Sequence, residues 1–203
     1  REQSRTGVAS PAEIHDYRTV LDDMRLIKGS DELQIMQRAA DISTQAHQRA
    51  MQTTCPGMRE YEIEAELLYT FYRHGAQAPA YTSIVAGGAN ACVLHYVDNN
   101  AELKSGDLLL IDAGCELDGY ASDITRTFPI NGRFTPQQRD VYQLVLAAQL
   151  EAIEQVKPGN RWNDPHQAAL RVLAQGFLDL GLCHGSVDAI LETEDYKSFY
   201  MHK

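Results

Sequence analysis

The strongest constraint on the fold of this chain is the dipeptide Asp118-Gly119, which lies between two apolar stretches. This dipeptide is typical of a two-residue β-hairpin turn of type I′, in which both central residues adopt positive φ. Such a turn pairs Leu117 with Tyr120 and sets every pair further out along the two strands. The sequence therefore predicts a hairpin whose register is fixed by its own turn.

That register brings together two acids that lie eleven positions apart in the sequence. On one continuous strand, an odd spacing would place them on opposite faces. Across the hairpin, Asp112 faces Thr125 and Asp123 faces Gly114, so the acids become diagonal neighbours about 7–8 Å apart by Cα. Two such carboxylates repel each other unless they are protonated or bridged by cations, and a site for two metal ions ~3.5–4 Å apart fits. Solvation is the alternative, but Asp112 ends an apolar run where an unpaired acid is costly.

The sequence around the two acids resembles the catalytic domain of aminopeptidase P, the Xaa-Pro aminopeptidases. The resemblance rests on Ile-Asp-Ala-Gly-Cys-Glu from position 111, Gly-Tyr-Ala-Ser-Asp-Ile-Thr-Arg-Thr-Phe-Pro from 119 and Leu-His-Tyr from 94. It extends from about residue 24 to the end of the chain. The fold class that it implies is α+β, the first part of the pita-bread fold shared with creatinase, prolidase and methionine aminopeptidase, truncated before the second half is complete.

The resemblance also implies a domain organisation. Residues 1–24 are expected to be the tail of an upstream domain with its linker, and residues 25–203 the N-terminal portion of the catalytic domain. Arg1 is not an initiator Met, and residues 199–203 resemble the start of a family motif, Phe-x-Met-His-Gly-x-x-His, with Lys203 at the position of Gly. We therefore expect a fragment that is inactive alone and that either self-associates as a homo-oligomer or is poorly stable.

The site residues follow from the same resemblance. It implies two divalent metal ions, commonly Mn²⁺, with Asp112 and Asp123 as the first two ligands and a His and two Glu supplied by the second half of the fold. His95, expected where a strand leaves the core, and His202 match residues that contact substrate and stabilise developing charge. Tyr81 matches a position that lines the same cleft, although a core aromatic on a strand is an equally good interpretation.

The function implied is metal-dependent release of the N-terminal residue from peptides with proline in second position. The cations would make water nucleophilic toward the Xaa-Pro carbonyl, with a Glu outside this chain as general base. A related dinuclear metallopeptidase of the prolidase or methionine aminopeptidase type would use the same acids. A pita-bread module that has lost its metals and only binds is the non-enzymatic alternative, and the presence of both Asp residues argues against it.

Composition excludes other classes of partner. A net charge of −10 and a pI near 5.1 argue against nucleic acid, because backbone binding needs clustered Lys and Arg. No apolar stretch approaches the ~20 residues needed to span a membrane. Four cysteines show neither paired spacing nor the density of a disulfide scaffold, and no signal peptide is recognisable, so a cytoplasmic location is expected.

Periodicity predicts the remaining elements. A helix from Ser30 is expected to bury a face that includes Leu33, while His47 on the same helix is expected to be solvated or to cap. Thr135 is expected to form a capping box with Gln138 at the start of a later helix. Strands are predicted at about 81–86, 92–97, 108–115 and 120–128.

Overall fold

The computed structural model describes residues 13–200 of the chain. The chain divides into two compact units, Arg1–Asn131 and Gly132–Lys203. The helices of the first unit are α1 (Arg18–Leu26), α2 (Ser30–Thr53) and α3 (Glu60–Arg73). Its strands are β1 (Ala78–Pro79), β2 (Ile84–Gly87), β3 (Leu108–Ala113), β4 (Cys115–Leu117), β5 (Tyr120–Ala121) and β6 (Ile124–Pro129).

The strands form two antiparallel sheets, in the orders β1-β4-β5 and β2-β3-β6. The predicted register is confirmed, because Leu117 pairs with Tyr120 at the tip and Asp112 pairs with Thr125 at the base. The positive φ values of Asp118 and Gly119, 50° and 82°, agree with the predicted turn. The two long predicted strands are each interrupted, so that the tip and the base of one hairpin belong to different sheets.

The core of the first unit lies between the sheets and helices α2 and α3. Helix α3 contributes a fully buried stripe of Ile63, Leu67 and Phe71. The prediction for α2 is wrong at its start, because Leu33 is 56% exposed and burial begins only at Ala39. The first turn of α2 therefore lies outside the core, and in the second turn Ile35 is partly buried against it. The helix contacts the core through small side chains that permit close approach: Ala39, Ala46 and Ala50.

His47 is a second correction to the sequence analysis, because its side chain is buried rather than solvated. Its Nδ1 lies 2.9 Å from the carbonyl oxygen of Ser43, one turn earlier in α2. Burial is the main influence on this ring, and it lowers the pKa of His47 below the ordinary value of 6.5. The folded protein therefore favours the neutral imidazole.

This burial predicts a specific dependence of stability on pH. Because the folded-state pKa of His47 is lowered, its contribution is fully present above about pH 6.5 and is lost as the pH falls toward the lowered value. We expect His47→Gln to flatten the slope of unfolding free energy against pH below pH 6.5, by at most about 1.4 kcal/mol per pH unit. Denaturant unfolding of the full-length protein across this range measures the slope.

A matched control for this measurement is His74, at the C-terminal end of α3. The Nδ1 of His74 makes the same contact with a carbonyl oxygen four residues earlier, at 2.9 Å, but its ring is exposed. The slope of His74→Gln is therefore the reference for removing the same contact from an exposed ring. An equal slope in the wild type and His47→Gln would contradict the prediction.

The second unit consists of helices around their own core. Helix α4 (Pro136–Glu154) begins with the predicted capping box, since Gln138 N donates to Thr135 Oγ1 at 3.2 Å and Thr135 N donates to Gln138 Oε1 at 2.9 Å. It is followed by α5 (Asp164–Asp179), α6 (Val187–Thr193) and a 3₁₀ turn, Asp195–Ser198. The core includes Ala148, Leu170, Leu173, Ala174, Phe177 and Ile190.

Candidate metal centre

The two sides of the hairpin approach each other unusually closely at Gly114, between β3 and β4. A Cβ atom added to Gly114 would lie 1.7 Å from the carbonyl oxygen of Ser122. The Ser122 amide donates to Cys115 O at 2.9 Å, and its hydroxyl donates to the same oxygen at 3.0 Å. That hydroxyl also lies 2.7 Å from the hydroxyl of Ser43 on α2. Only glycine permits this crossing, which fixes the backbone immediately before Asp123.

Both acids of the hairpin converge on the hydroxyl group of Tyr81, which lies between β1 and β2. This hydroxyl lies 2.6 Å from Asp112 Oδ1 and 2.8 Å from Asp123 Oδ1. A phenol carries one hydrogen, so the two carboxylates share a single donor. The convergence expected from the hairpin register is therefore present. The structure brings together Tyr81, Asp112 and Asp123, three of the predicted site residues.

The electrostatics of this cluster favour a protonated phenol. Burial raises the pKa of Tyr81, and the hydrogen bonds to Asp112 and Asp123 raise it further. Tyr81 therefore remains a neutral donor at neutral pH and orients both acids. Asp112 is half-buried and Asp123 is exposed, so the cluster is open to solvent on one side.

The donor set fits divalent cations. Ions such as Mn²⁺ and Mg²⁺ prefer oxygen ligands, and each carboxylate retains lone pairs that the single shared hydrogen does not occupy. Within residues 13–200, however, no group of three or more His, Cys, Asp or Glu side chains could hold a metal ion. The described residues thus supply two convergent carboxylates, which are fewer than a complete metal cage requires.

His95 lies on the loop between β2 and β3, not at the end of a strand as the sequence analysis expected. The predicted strand at 92–97 is absent. In its place a 3₁₀ turn spans Gly88–Cys92, and His95 and Asn99 adopt positive φ values of 55° and 44°. Such values break extended geometry. The His95 side chain is exposed. His202, the other predicted catalytic residue, lies outside the described residues.

Sequence reasoning missed one residue at the base of this loop, Glu60. Its side chain is fully buried at the start of α3 and accepts hydrogen bonds from residues 27 to 41 positions away. An acid in the first turn of a helix is ordinarily explained by the helix dipole, so the sequence gives little reason to single it out. One signal is available in retrospect. Glu62, at the third position of α3, already accepts from Arg59 N at 2.6 Å, so Glu60 is not needed to cap the helix.

Comparison with known proteins identifies relatives along nearly the whole chain. The model of metallopeptidase family M24 matches residues 34–203. A curated relative from Haemophilus influenzae, a Xaa-Pro aminopeptidase, is 52% identical over 191 residues, which are 94% of this chain and 44% of the relative. The Xaa-Pro aminopeptidase of Escherichia coli is 43% identical over 202 residues, 100% of this chain and 46% of the relative. The chain thus spans less than half the length of these curated relatives.

Solved structures agree with the sequence comparison. Pseudomonas aeruginosa aminopeptidase PepP superposes with a TM-score of 0.95 at 51% identity, over 99% of this chain and 46% of that one. A zinc-substituted Escherichia coli aminopeptidase P in complex with product gives a TM-score of 0.94 at 42% identity, over 99% and 46% of the two chains. The predicted α+β fold, the first part of an aminopeptidase-like fold, is thereby confirmed. The chain belongs to metallopeptidase family M24.

Proposed function

We propose that the full-length protein is a metal-dependent aminopeptidase that releases the N-terminal residue from peptides with proline in second position. The observation that carries this proposal is the convergence of Asp112 and Asp123 on one point, in an M24 chain whose relatives are Xaa-Pro aminopeptidases. Two acids held this close, and open to solvent, are suited to holding cations at a site that a peptide can reach.

Asp112 and Asp123 would hold part of a centre of two divalent metal ions, which we propose to be Mn²⁺. When bound, such ions activate water for attack and polarise the scissile carbonyl. The chain contributes rigid placement of the ligands. Asp112 is fixed by pairing of β3 with strands on both sides, and Asp123 follows the crossing at Gly114. Tyr81 orients both carboxylates, and we propose that it also lines the substrate cleft.

Two histidines would act on the substrate. His95 is exposed on its loop, where it is accessible to a bound peptide. A ring N–H at this position would donate to the carbonyl oxygen of the scissile bond and stabilise the charge that develops on it. His202, outside the described residues, is proposed to contact substrate as well. The general base is proposed to be a Glu outside this chain.

Three further proposals concern the setting of the site. Residues 1–24 are proposed to end an upstream domain, and residues 25–203 are proposed to begin the catalytic domain. This boundary falls within α1, which buries no side chain.

A cytoplasmic location is proposed as well, and four free cysteines support it. Among residues 13–200, every helix is too short or too polar to cross a membrane. Self-association of residues 1–203 and their inactivity in isolation stay predictions.

The test is a peptidase assay on the full-length protein, with metal removed and then restored. We expect release of the first residue from a Xaa-Pro-Xaa peptide, dependent on Mn²⁺, and at least about 100-fold slower release from a matched Xaa-Ala-Xaa peptide. A preference for a Xaa-Pro dipeptide would favour a prolidase, and release restricted to N-terminal Met would favour a methionine aminopeptidase. Stoichiometric peptide binding without hydrolysis at any metal concentration would favour the binding module.

A further inference from the structure

Glu60 is a buried charge at the base of the loop that carries His95. Its carboxylate accepts four hydrogen bonds. Gly87 N and Asn90 Nδ2 donate to Oε1 at 2.8 and 3.0 Å, and the Tyr96 hydroxyl and Ala101 N donate to Oε2 at 2.7 and 2.9 Å. All four donors are neutral groups. Each carboxylate oxygen therefore binds one backbone amide and one side chain.

The positions of these donors are informative. Gly87 ends β2 and Ala101 lies beyond the far end of the loop, so a single carboxylate joins both ends of residues 88–100. Asn90 and Tyr96 lie inside the loop, and Asn90 Nδ2 also donates to the Tyr96 hydroxyl at 3.0 Å. Tyr96 is the neighbour of His95 in the chain. The carboxylate therefore holds the side chain of the residue that follows His95.

A second anchor ties the same loop to the strand beside the candidate metal ligands. Asn99 is buried, and its side chain accepts from Val85 N at 2.9 Å and donates to Ser83 O at 2.8 Å. Between these two partners lies Ile84, which pairs with Asp112. The loop is thus fixed both to the start of α3 and to the sheet that presents Asp112.

The charge of Glu60 is essential to this arrangement. Burial raises the pKa of Glu60, but the four hydrogen bonds lower it by more, so that its pKa lies below the ordinary value. A carboxylate is an acceptor at both oxygens, and the four partners named above are all donors. An amide at the same position would turn its NH₂ group toward one backbone N–H and leave that donor buried without an acceptor.

From this geometry we infer that Glu60 is a positioning residue for the reaction, because it holds the loop that places His95 against substrate. The inference rests on the proposed function for its kinetic consequence. Its structural half, the anchoring of the loop by one buried carboxylate, is independent of any activity.

The structural half is tested by hydrogen exchange in the full-length protein carrying Glu60→Gln. We expect faster exchange in peptides that cover residues 87–101, because Gly87 N or Ala101 N loses its acceptor. The control is Thr70→Val on the same helix, where a buried hydroxyl donates to Glu66 O, one turn earlier in α3, at 2.8 Å. Unchanged exchange of the loop in Glu60→Gln, or equal acceleration in the control, would overturn the inference.

The kinetic half is tested by a double-mutant cycle on a Xaa-Pro peptide. We expect Glu60→Gln to lower kcat/KM by about 100-fold, mainly through kcat, with bound metal unchanged. In a His95→Ala background the same substitution should cost less than about threefold, because the residue that the loop positions is already absent. An equal loss in both backgrounds would overturn the inference.

Two further provisions separate failure of this inference from misfolding of the variant and from failure of the proposed function. Should Glu60→Gln fail to fold, Tyr96→Phe can replace it, because it removes one of the four donors to the carboxylate. We expect Tyr96→Phe to lower kcat/KM about tenfold and to cost less in the His95→Ala background. An equal loss in both backgrounds would count against the inference. If the wild-type protein cleaves no Xaa-Pro peptide, the proposed function fails, and the exchange measurement still decides whether Glu60 anchors the loop.

Discussion

Asp123→Asn in the full-length protein is expected to lower kcat/KM for a Xaa-Pro peptide on the order of 10³-fold, about 4 kcal/mol of transition-state stabilisation. The neutral amide is a poorer ligand for a cation than the carboxylate, so the variant should also lose one of the two metal ions that we propose. The hairpin itself should survive, because Asn fits the same space and can accept the hydrogen bond from Tyr81. Steady-state kinetics and metal analysis of the purified variant measure both effects.

The matched control for this variant is Asp118→Asn on the same hairpin. Asp118 is exposed at the tip, has a positive φ of 50° and bonds to Gln77 rather than to the cluster. Asn is well tolerated at this turn position, so kinetics and metal content should match the wild type. Near-normal turnover by Asp123→Asn with two ions bound would show that Asp123 is not a ligand.

Gly114→Ala is expected to cost about 4 kcal/mol or more of unfolding free energy, or to prevent folding of the first unit. The new Cβ would lie 1.7 Å from Ser122 O and 2.5 Å from the carbonyl carbon of Ser122. These are backbone atoms, which cannot rotate away, so the two sides of the hairpin must separate. Separation breaks the hydrogen bond from Ser122 N to Cys115 O and moves Asp123 away from Tyr81. Denaturant unfolding of the full-length protein, followed by metal titration, measures both consequences.

Gly119→Ala provides the comparison for steric cost, because Gly119 lies in the same hairpin but at its turn. No atom lies within 4 Å of a Cβ built there, and the substitution only strains a residue with φ of 82°. We expect a loss of about 1 kcal/mol and normal metal binding. If Gly114→Ala were no less stable than Gly119→Ala, the close crossing would not be what holds Asp123 in place.

The hairpin shows how much of the candidate site depends on residues that are close in sequence. The dipeptide Asp118-Gly119 sets the turn, the turn sets the register, and the register places Asp112 opposite Thr125. Every step involves residues close in sequence, so the convergence of the two acids follows without knowledge of the rest of the fold. The capping box at Thr135 and the buried stripe of α3 are predictable for the same reason.

The errors have one shared cause, which is that the deciding partners are distant in sequence. His95 was expected at the end of a strand, but its loop is bent by a buried Asn99 and by Glu60, which lies 41 positions from Ala101. His47 was expected to be solvated or to cap the helix, yet it is buried in the core face of α2. The periodicity of α2 gives the helix but not where its contact with the core begins.

The sequence by itself therefore determined the capping box at Thr135, the hairpin and its register, and the convergence of Asp112 and Asp123, because each depends on backbone preferences and neighbours within about a dozen residues. Tertiary structure alone decided which groups join that pair. The phenol of Tyr81 meets both carboxylates from 31 and 42 positions away, and the carboxylate of Glu60 gathers donors from both ends of the His95 loop. Burial makes such long-range partners obligatory, since a charged or polar group taken out of water must be satisfied by whatever the folded chain brings to it.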